Sequence, residues 1–184
     1  RYRFDSYIAE TPEQEKILRL ARRFAAKDSG WFYIFGQSGA GKSHICTAIC
    51  RKLLLRGRKV IYMLWRDEIV KIKEIASAGG EVSRVLDRYK TADVLYIDDL
   101  FKTGRAVDAQ MQKPTIADIN YAFEIINYRY LNPHLLTIIS SELTGQELLD
   151  IDEALAGRIL QRSTAINICR GRDRNYRLKG AVTL

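Results

Sequence analysis

The chain has 184 residues, enough for one domain with a sizeable buried core. Its composition, 47% hydrophobic and 28% charged, is that of an ordinary folded chain; no apolar run of about 18 residues exists to span a membrane, and no secretory leader opens it. Thirty Lys and Arg against 22 Asp and Glu give a net charge of +8, a balance compatible with a nucleic-acid partner and equally common among mildly basic soluble proteins.

The elements follow in order. Residues 1–10 read as extended, with Phe4 and Tyr7 as anchors. Thr11, Pro12 and Gln14 announce a helix by N-cap, first-turn proline and capping box, and Ile17, Leu18, Ala21, Phe24 and Ala25 form its apolar stripe. Residues 31–35 are a buried strand, and a helix from about 42 to 56 buries Ile45, Ala48, Ile49 and Leu53 before Gly57 stops it. Residues 60–64 form a second strand. Two helices follow, one carrying Ile69, Ile72, Ile75 and Ala76, the other Val82, Val85, Leu86 and Tyr89. Residues 94–97 are a continuous apolar strand of the kind buried in parallel sheets. Residues 102–114 lack periodicity and read as a loop. Thr115 caps a helix to about residue 130, residues 135–139 form strand four, Thr144 and Glu147 make another capping box, Asp152 opens a short helix, and residues 165–169 form strand five. Strands alternating with helices imply a parallel α/β sheet covered on both faces.

Between the first strand and its helix lie Gly36, Gln37, Ser38, Gly39, Ala40, Gly41, Lys42 and Ser43, which fit G-x-x-x-x-G-K-[ST]. Glycines let the backbone curl so that successive N–H groups face phosphate oxygens, and the helix N-terminus adds its partial positive charge at the same point. Lys42 then reaches the β- and γ-phosphates, and the Ser43 hydroxyl serves Mg²⁺. The strand over 94–97 ends in Asp98 and Asp99. Beside a phosphate loop, Asp98 is placed to hold Mg²⁺ and Asp99 to orient or deprotonate the attacking water. The strand through Thr137 ends in Ser140, Ser141 and Glu142, a polar tip that suits either the γ-phosphate or a plain turn. Cys46, Cys50 and Cys169 are odd in number and show no C-x-x-C spacing; with two of them one helical turn apart, they read as apolar fillers and point to a reducing cytoplasm. His44 and His134 form no metal set.

These motifs, with His44 after the loop, Asn127 and Arg129 in the fourth long helix, Arg158-Ile159, and Asn175 to Lys179 in the tail, occur in one order. Together they resemble the AAA+ domain of the bacterial DnaC/DnaI-type replicative helicase loaders. The resemblance covers essentially the whole chain, 1–184. It implies a three-layer P-loop sandwich with sheet order 5-1-4-3-2 and a truncated or absent helical lid, since only residues 170–184 follow strand five. It implies ATP/ADP and Mg²⁺ as ligands, with Gly36 to His44 as the binding loop, Lys42, Ser43 and Asp98 around the nucleotide and metal, and Asp99 as the catalytic carboxylate, a position more often Glu in such proteins. Ser141 falls on the sensor-strand tip, where the family often has Asn, and Arg158 on the arginine finger that reaches a neighbouring subunit. Lys71, Lys73, Arg84 and Arg88 lie where the clade keeps its single-stranded DNA contacts; a solvated helix face gives the same pattern. Arg170, Arg172, Arg174 and Arg177 cluster in the tail. The start at Arg1 and the family pattern imply a missing N-terminal part that binds the replicative helicase. Three other readings stand beside the loader. They are an IstB-type transposition helper, an ATP-gated scaffold with little turnover, and a small-molecule kinase with Lys102 and Arg105 in its lid.

Overall fold

A computed structural model describes residues 2–102 and 113–168. The remainder of the 102–114 loop, Cys169, the tail arginines and any lid lie outside the described residues. The five strands are β1 (Trp31–Gly36), β2 (Val60–Leu64), β3 (Val94–Asp98), β4 (Leu136–Ser141) and β5 (Ser163–Ile168). They pair in parallel in the order β2-β3-β4-β1-β5, which is the expected 5-1-4-3-2 seen from the other edge.

Period-two alternation sorts the sheet's side chains into two cores. Trp31 and Tyr33 of β1 face one side with Leu95, Ile97 and Ile139; Phe32 and Ile34 face the other with Val94, Tyr96 and Ile138. Helices α1 (Pro12–Phe24) and α2 (Lys42–Leu55) cover the second face with Ile17, Phe24, Ile45 and Ile49. Five helices cover the first: α3 (Trp65–Ser77), α4 (Val82–Lys90), α5 (Ile116–Leu131), α6 (Gly145–Ile151) and α7 (Glu153–Arg162). Trp65, Leu86, Ile126, Leu148 and Ile159 are their buried contributions. Each large apolar side chain so buried stabilises the fold by about 1.5–3 kcal/mol.

Local signals set the boundaries. Thr11, Thr115 and Thr144 each accept the backbone N–H three residues on, and Gln14, Asp118 and Glu147 return the bond. Asp152 closes α6 and caps α7 through a 2.7 Å bond from the Leu155 N–H. Two boundaries differ from expectation. Phe4–Ser6 form a single 3₁₀ turn, closed by the Ser6 hydroxyl on Arg3, where an extended segment was expected. Strand β5 begins at Ser163, directly after α7, because pairing with β1 extends it past any side-chain periodicity.

Guanidinium groups tie the edge of the sheet where the strands begin. Arg129 is fully buried; its Nη1 donates to the carbonyls of Tyr89, Lys90 and Ala92 (3.1, 3.0 and 2.7 Å), and its Nη2 to that of Leu136. Nε donates to Thr137 Oγ1 at 2.9 Å. Burial pulls its pKa down to about 9, so the carbonyls stand in for the water it has lost. Nearby, Arg58 forks onto the Asp93 carboxylate ahead of β3.

Candidate nucleotide-binding site

The phosphate loop runs from the end of β1 into α2. Gly36 has φ 143°, and a side chain there would meet the Ile168 carbonyl of β5 at 2.3 Å, so only glycine lets the two strands approach. Gly41, at φ 88°, caps α2 in the left-handed region and turns the first helical N–H groups toward the loop. Lys42 is 5% exposed and folds back, donating from Nζ to the carbonyls of Gly36 and Gln37 at 2.9 Å each. Burial lowers its pKa while the carboxylates of Asp99 and Glu142 oppose that shift. The loop is thus preformed around its own lysine, in the shape an anion would take over.

Asp98 lies at the carboxyl end of β3, 8% exposed and ringed by hydroxyls. Its Oδ1 accepts from Ser43 (3.2 Å), Tyr96 (2.7 Å) and Ser140 (2.5 Å), and its Oδ2 from Tyr62 (2.9 Å). All four donors are neutral hydroxyls, none of them an ion-pair partner that would compete with a bound cation. A divalent ion such as Mg²⁺ needs few protein ligands when substrate phosphates and water complete its shell. Asp98 beside Ser43 fits that role; among the described residues no group of three or more His, Cys, Asp or Glu side chains is placed to hold a metal by itself.

Asp99 follows in the left-handed region, φ 56°, which turns its side chain out of the sheet toward the loop. Its N–H donates to Ser140 Oγ at 3.0 Å, and its Oδ2 accepts from Lys102 Nζ, also at 3.0 Å. Lys102 simultaneously holds Glu142 at 2.6 Å; burial lowers its pKa, and these two contacts outweigh that and leave it above the ordinary lysine value. The resulting cleft, about 440 Å³, is lined by Ser38, Gly39, Gly41, Lys42, Ser43, His44, Asp99, Lys102 and Glu142, and on its other side by the N-terminal segment. There Tyr2 and Tyr7 pack on His44 with ring centres 5.1 and 5.3 Å away, and His44 Nε2 sits 2.8 Å from the Arg3 carbonyl. The rings are inclined to the imidazole, Tyr2 at 54° and Tyr7 at 86°, and the three make an aromatic corner beside the phosphate loop that suits a nucleotide base.

Of the expected residues, Ser38, Gly39, Gly41, Lys42, Ser43, His44 and Asp99 line this cleft, and Asp98 is joined to it through its bond from Ser43. Ser141 is placed elsewhere. Its buried hydroxyl donates to the Leu100 carbonyl (2.9 Å) and accepts from the Leu143 N–H (3.1 Å), bracing the turn after β4. Neighbouring residues of a strand face opposite sides, so Ser140 is the one that reaches the acid pair. Ser140 was expected only as part of a polar tip, and Tyr62 and Tyr96 were missed. Tyr96 was within reach, two residues before Asp98 on the same strand face; Tyr62 needs the β2–β3 register, in which it pairs with Tyr96.

Arg158 lies on α7, away from this cleft's lining. Its Nε donates to Asn127 Oδ1 (3.0 Å) and Nη1 to the Ala154 carbonyl (2.7 Å), with the guanidinium 4.9 Å from the Phe123 ring centre and 5.6 Å from that of Tyr130. Of the four residues expected near DNA, Lys73 pairs with the buried Asp118 at 2.6 Å and with Thr115, joining α3 to α5. Lys71 pairs with Glu68, and Arg84 and Arg88 lie exposed on α4.

Comparison with known proteins agrees with this geometry. The model of the IstB-like ATP binding protein family matches residues 3–181. The uncharacterized protein YqaM of Bacillus subtilis is 37% identical over 132 residues, covering 70% of this chain and 39% of YqaM. The phage-like element PBSX protein XkdC of the same organism is 36% identical over 155 residues, 80% of this chain and 54% of XkdC. The replicative helicase loader DnaC of Escherichia coli is 29% identical over 120 residues, 63% of this chain and 48% of DnaC. The chain thus spans about half the length, or less, of the curated relatives it matches. Among solved structures, a DnaC helicase loader superposes with a TM-score of 0.75 at 21% identity, covering 91% of this chain and 96% of that one. The AMPPCP-bound DnaA of Aquifex aeolicus gives 0.71 at 22% identity, with 97% and 52% covered. The chain belongs to the family of IstB-like ATP-binding proteins, and its fold is that of the DnaC and DnaA domains on which it superposes.

Proposed function

We propose that this domain binds and hydrolyses ATP with Mg²⁺, and that its ATP state controls self-assembly, contact with single-stranded DNA and loading of a replicative helicase in the cytoplasm. The observation that carries the reading is the joining of Ser43, Asp98 and Ser140 by hydroxyl bonds within reach of Lys42 and Asp99. Lys42 exchanges its two loop carbonyls for phosphate oxygens, and the backbone N–H groups after Gly41 receive the same charge. Asp98 and Ser43 would hold Mg²⁺, which neutralises charge developing on the phosphates. Asp99, fixed through its N–H by Ser140, orients the water and accepts its proton. Arg158 is the residue offered to a neighbouring subunit's γ-phosphate, and Arg84 and Arg88 are the exposed cations offered to a DNA backbone together with Lys71 and Lys73. The family's IstB description supports a second reading, a transposition helper with the same ATPase cycle.

Two measurements test this. Lys42→Ala is expected to abolish binding of a fluorescent ATP analogue, because the phosphates lose the loop's cation; wild-type affinity would remove the loop from the site. Co-purification of the complete protein with its host's replicative helicase separates loader from transposition helper. Retention of the helicase only in the presence of ATP is the loader's outcome, and no retention in either state favours the second reading.

A further inference from the structure

Lys102 has no part in the phosphate-loop pattern, yet it stands in the same cleft. Around the phosphate end, three carboxylates (Asp98, Asp99 and Glu142) face two ammonium groups, Lys42 and Lys102. A triphosphate brought among three carboxylates meets repulsion that Lys42 and one bound Mg²⁺ relieve only in part. Among the described residues Lys102 is the other ammonium group lining that wall, 30% exposed and held 3.0 Å from Asp99 and 2.6 Å from Glu142. Its flexible four-carbon stem lets the ammonium change partners without moving the backbone. Its backbone is anchored, since the Lys102 N–H donates to the Asp99 carbonyl at 2.9 Å and Leu100 beside it donates to Ser140.

We propose that Lys102 is a second phosphate-binding cation, which leaves Asp99 and Glu142 for the terminal phosphate when a nucleoside triphosphate binds. The inference rests on the nucleotide reading above and deepens it. Asp99 is masked by an ion pair while the terminal phosphate is absent, and becomes free to hold water only when that phosphate has drawn Lys102 away. A diphosphate ends short of Lys102 and leaves the pair closed. The lysine therefore distinguishes the two nucleotides and unmasks the carboxylate in one motion. It is a positioning residue for Asp99 and a ligand for the triphosphate.

The test is the ratio of ATP to ADP affinity, read by calorimetry on the purified chain with Mg²⁺ and a non-hydrolysable ATP analogue. In K102M the ratio is expected to fall about tenfold, the size of one hydrogen bond between charged partners, with ADP affinity unchanged. K102R, which keeps the charge, is expected to recover most of it. Thermal unfolding of each variant confirms the fold, and K102Q replaces K102M if the latter does not fold. Equal losses for both nucleotides, or a ratio unchanged from a wild-type chain that binds both, overturn the proposal alone. A wild-type chain that binds neither overturns the nucleotide reading and the lysine's role with it.

Discussion

At the scale of single residues, the site assigns adjacent side chains to opposite tasks. Asp98 is held inside a hydroxyl ring, whereas Asp99, its neighbour, is turned outward by a left-handed backbone. Asp99→Asn is expected to keep nucleotide and Mg²⁺ binding while slowing single-turnover hydrolysis by about 10²–10⁴-fold, the usual worth of a general base; turnover at the wild-type rate would take that role from it. The two serines divide similarly. Ser140→Ala removes a donor from Asp98 and is expected to weaken Mg²⁺-dependent ATP binding by about tenfold, as loss of an outer-sphere partner does. Ser141→Ala is expected to leave that affinity alone and to cost about 1 kcal/mol in a urea melt, because its hydroxyl braces the Leu100 carbonyl and the Leu143 N–H of the turn after β4. The reverse pattern would restore Ser141 to the sensor role. Which serine faced the acids was not legible in the sequence, because two polar residues at a strand's end read alike until the register is known. The phosphate loop and the acid pair were legible, since their chemistry is written in contiguous residues.

At the scale of elements, the five strands and the long helices were legible from apolar runs, periodicity and, at Thr11, Thr115 and Thr144, capping chemistry. The start of β5 at Ser163 and the 3₁₀ turn at Phe4–Ser6 were set by pairing and packing that a local pattern does not carry. Lys73 shows the same limit. It read as one of several charges on a helix face, and the fold matches it to a carboxylate 45 positions further on, Asp118, brought near by α5. Arg129 is the clearest case. In sequence it is a cation near a helix end; in the fold it joins α4, the turn ahead of β3, and β4 through four carbonyls and a hydroxyl. Arg129→Met keeps much of the volume but strands those carbonyls without donors, so a loss of about 2–4 kcal/mol is expected in denaturant unfolding. A change below about 0.5 kcal/mol would show that water replaces the guanidinium without penalty.

At the scale of the whole molecule, the question is whether one copy suffices. Arg158 is held on α7 by Asn127, Ala154 and two aromatic rings, apart from the cleft of its own chain. If it acts on a neighbour, Arg158→Ala binds ATP normally but hydrolyses it on the order of 10³-fold more slowly. Mixing Arg158→Ala with Lys42→Ala, each inactive alone, is then expected to return part of the activity, because some interfaces pair an intact loop with an intact arginine. A mixture that co-assembles and stays inactive, or full activity in Arg158→Ala alone, would place catalysis within a single copy. The sheet also has two unlike ends. Where the strands begin, Arg129 and Arg58 bolt α4, β2, β3 and β4 to one another; where they end, hydroxyls, carboxylates and a lysine meet across exchangeable bonds. If a nucleotide binds at that second end, the bonds it must exchange are side-chain bonds at the rim and not the buried arginine lattice opposite, so loops around the rim would shift while the core stays shut.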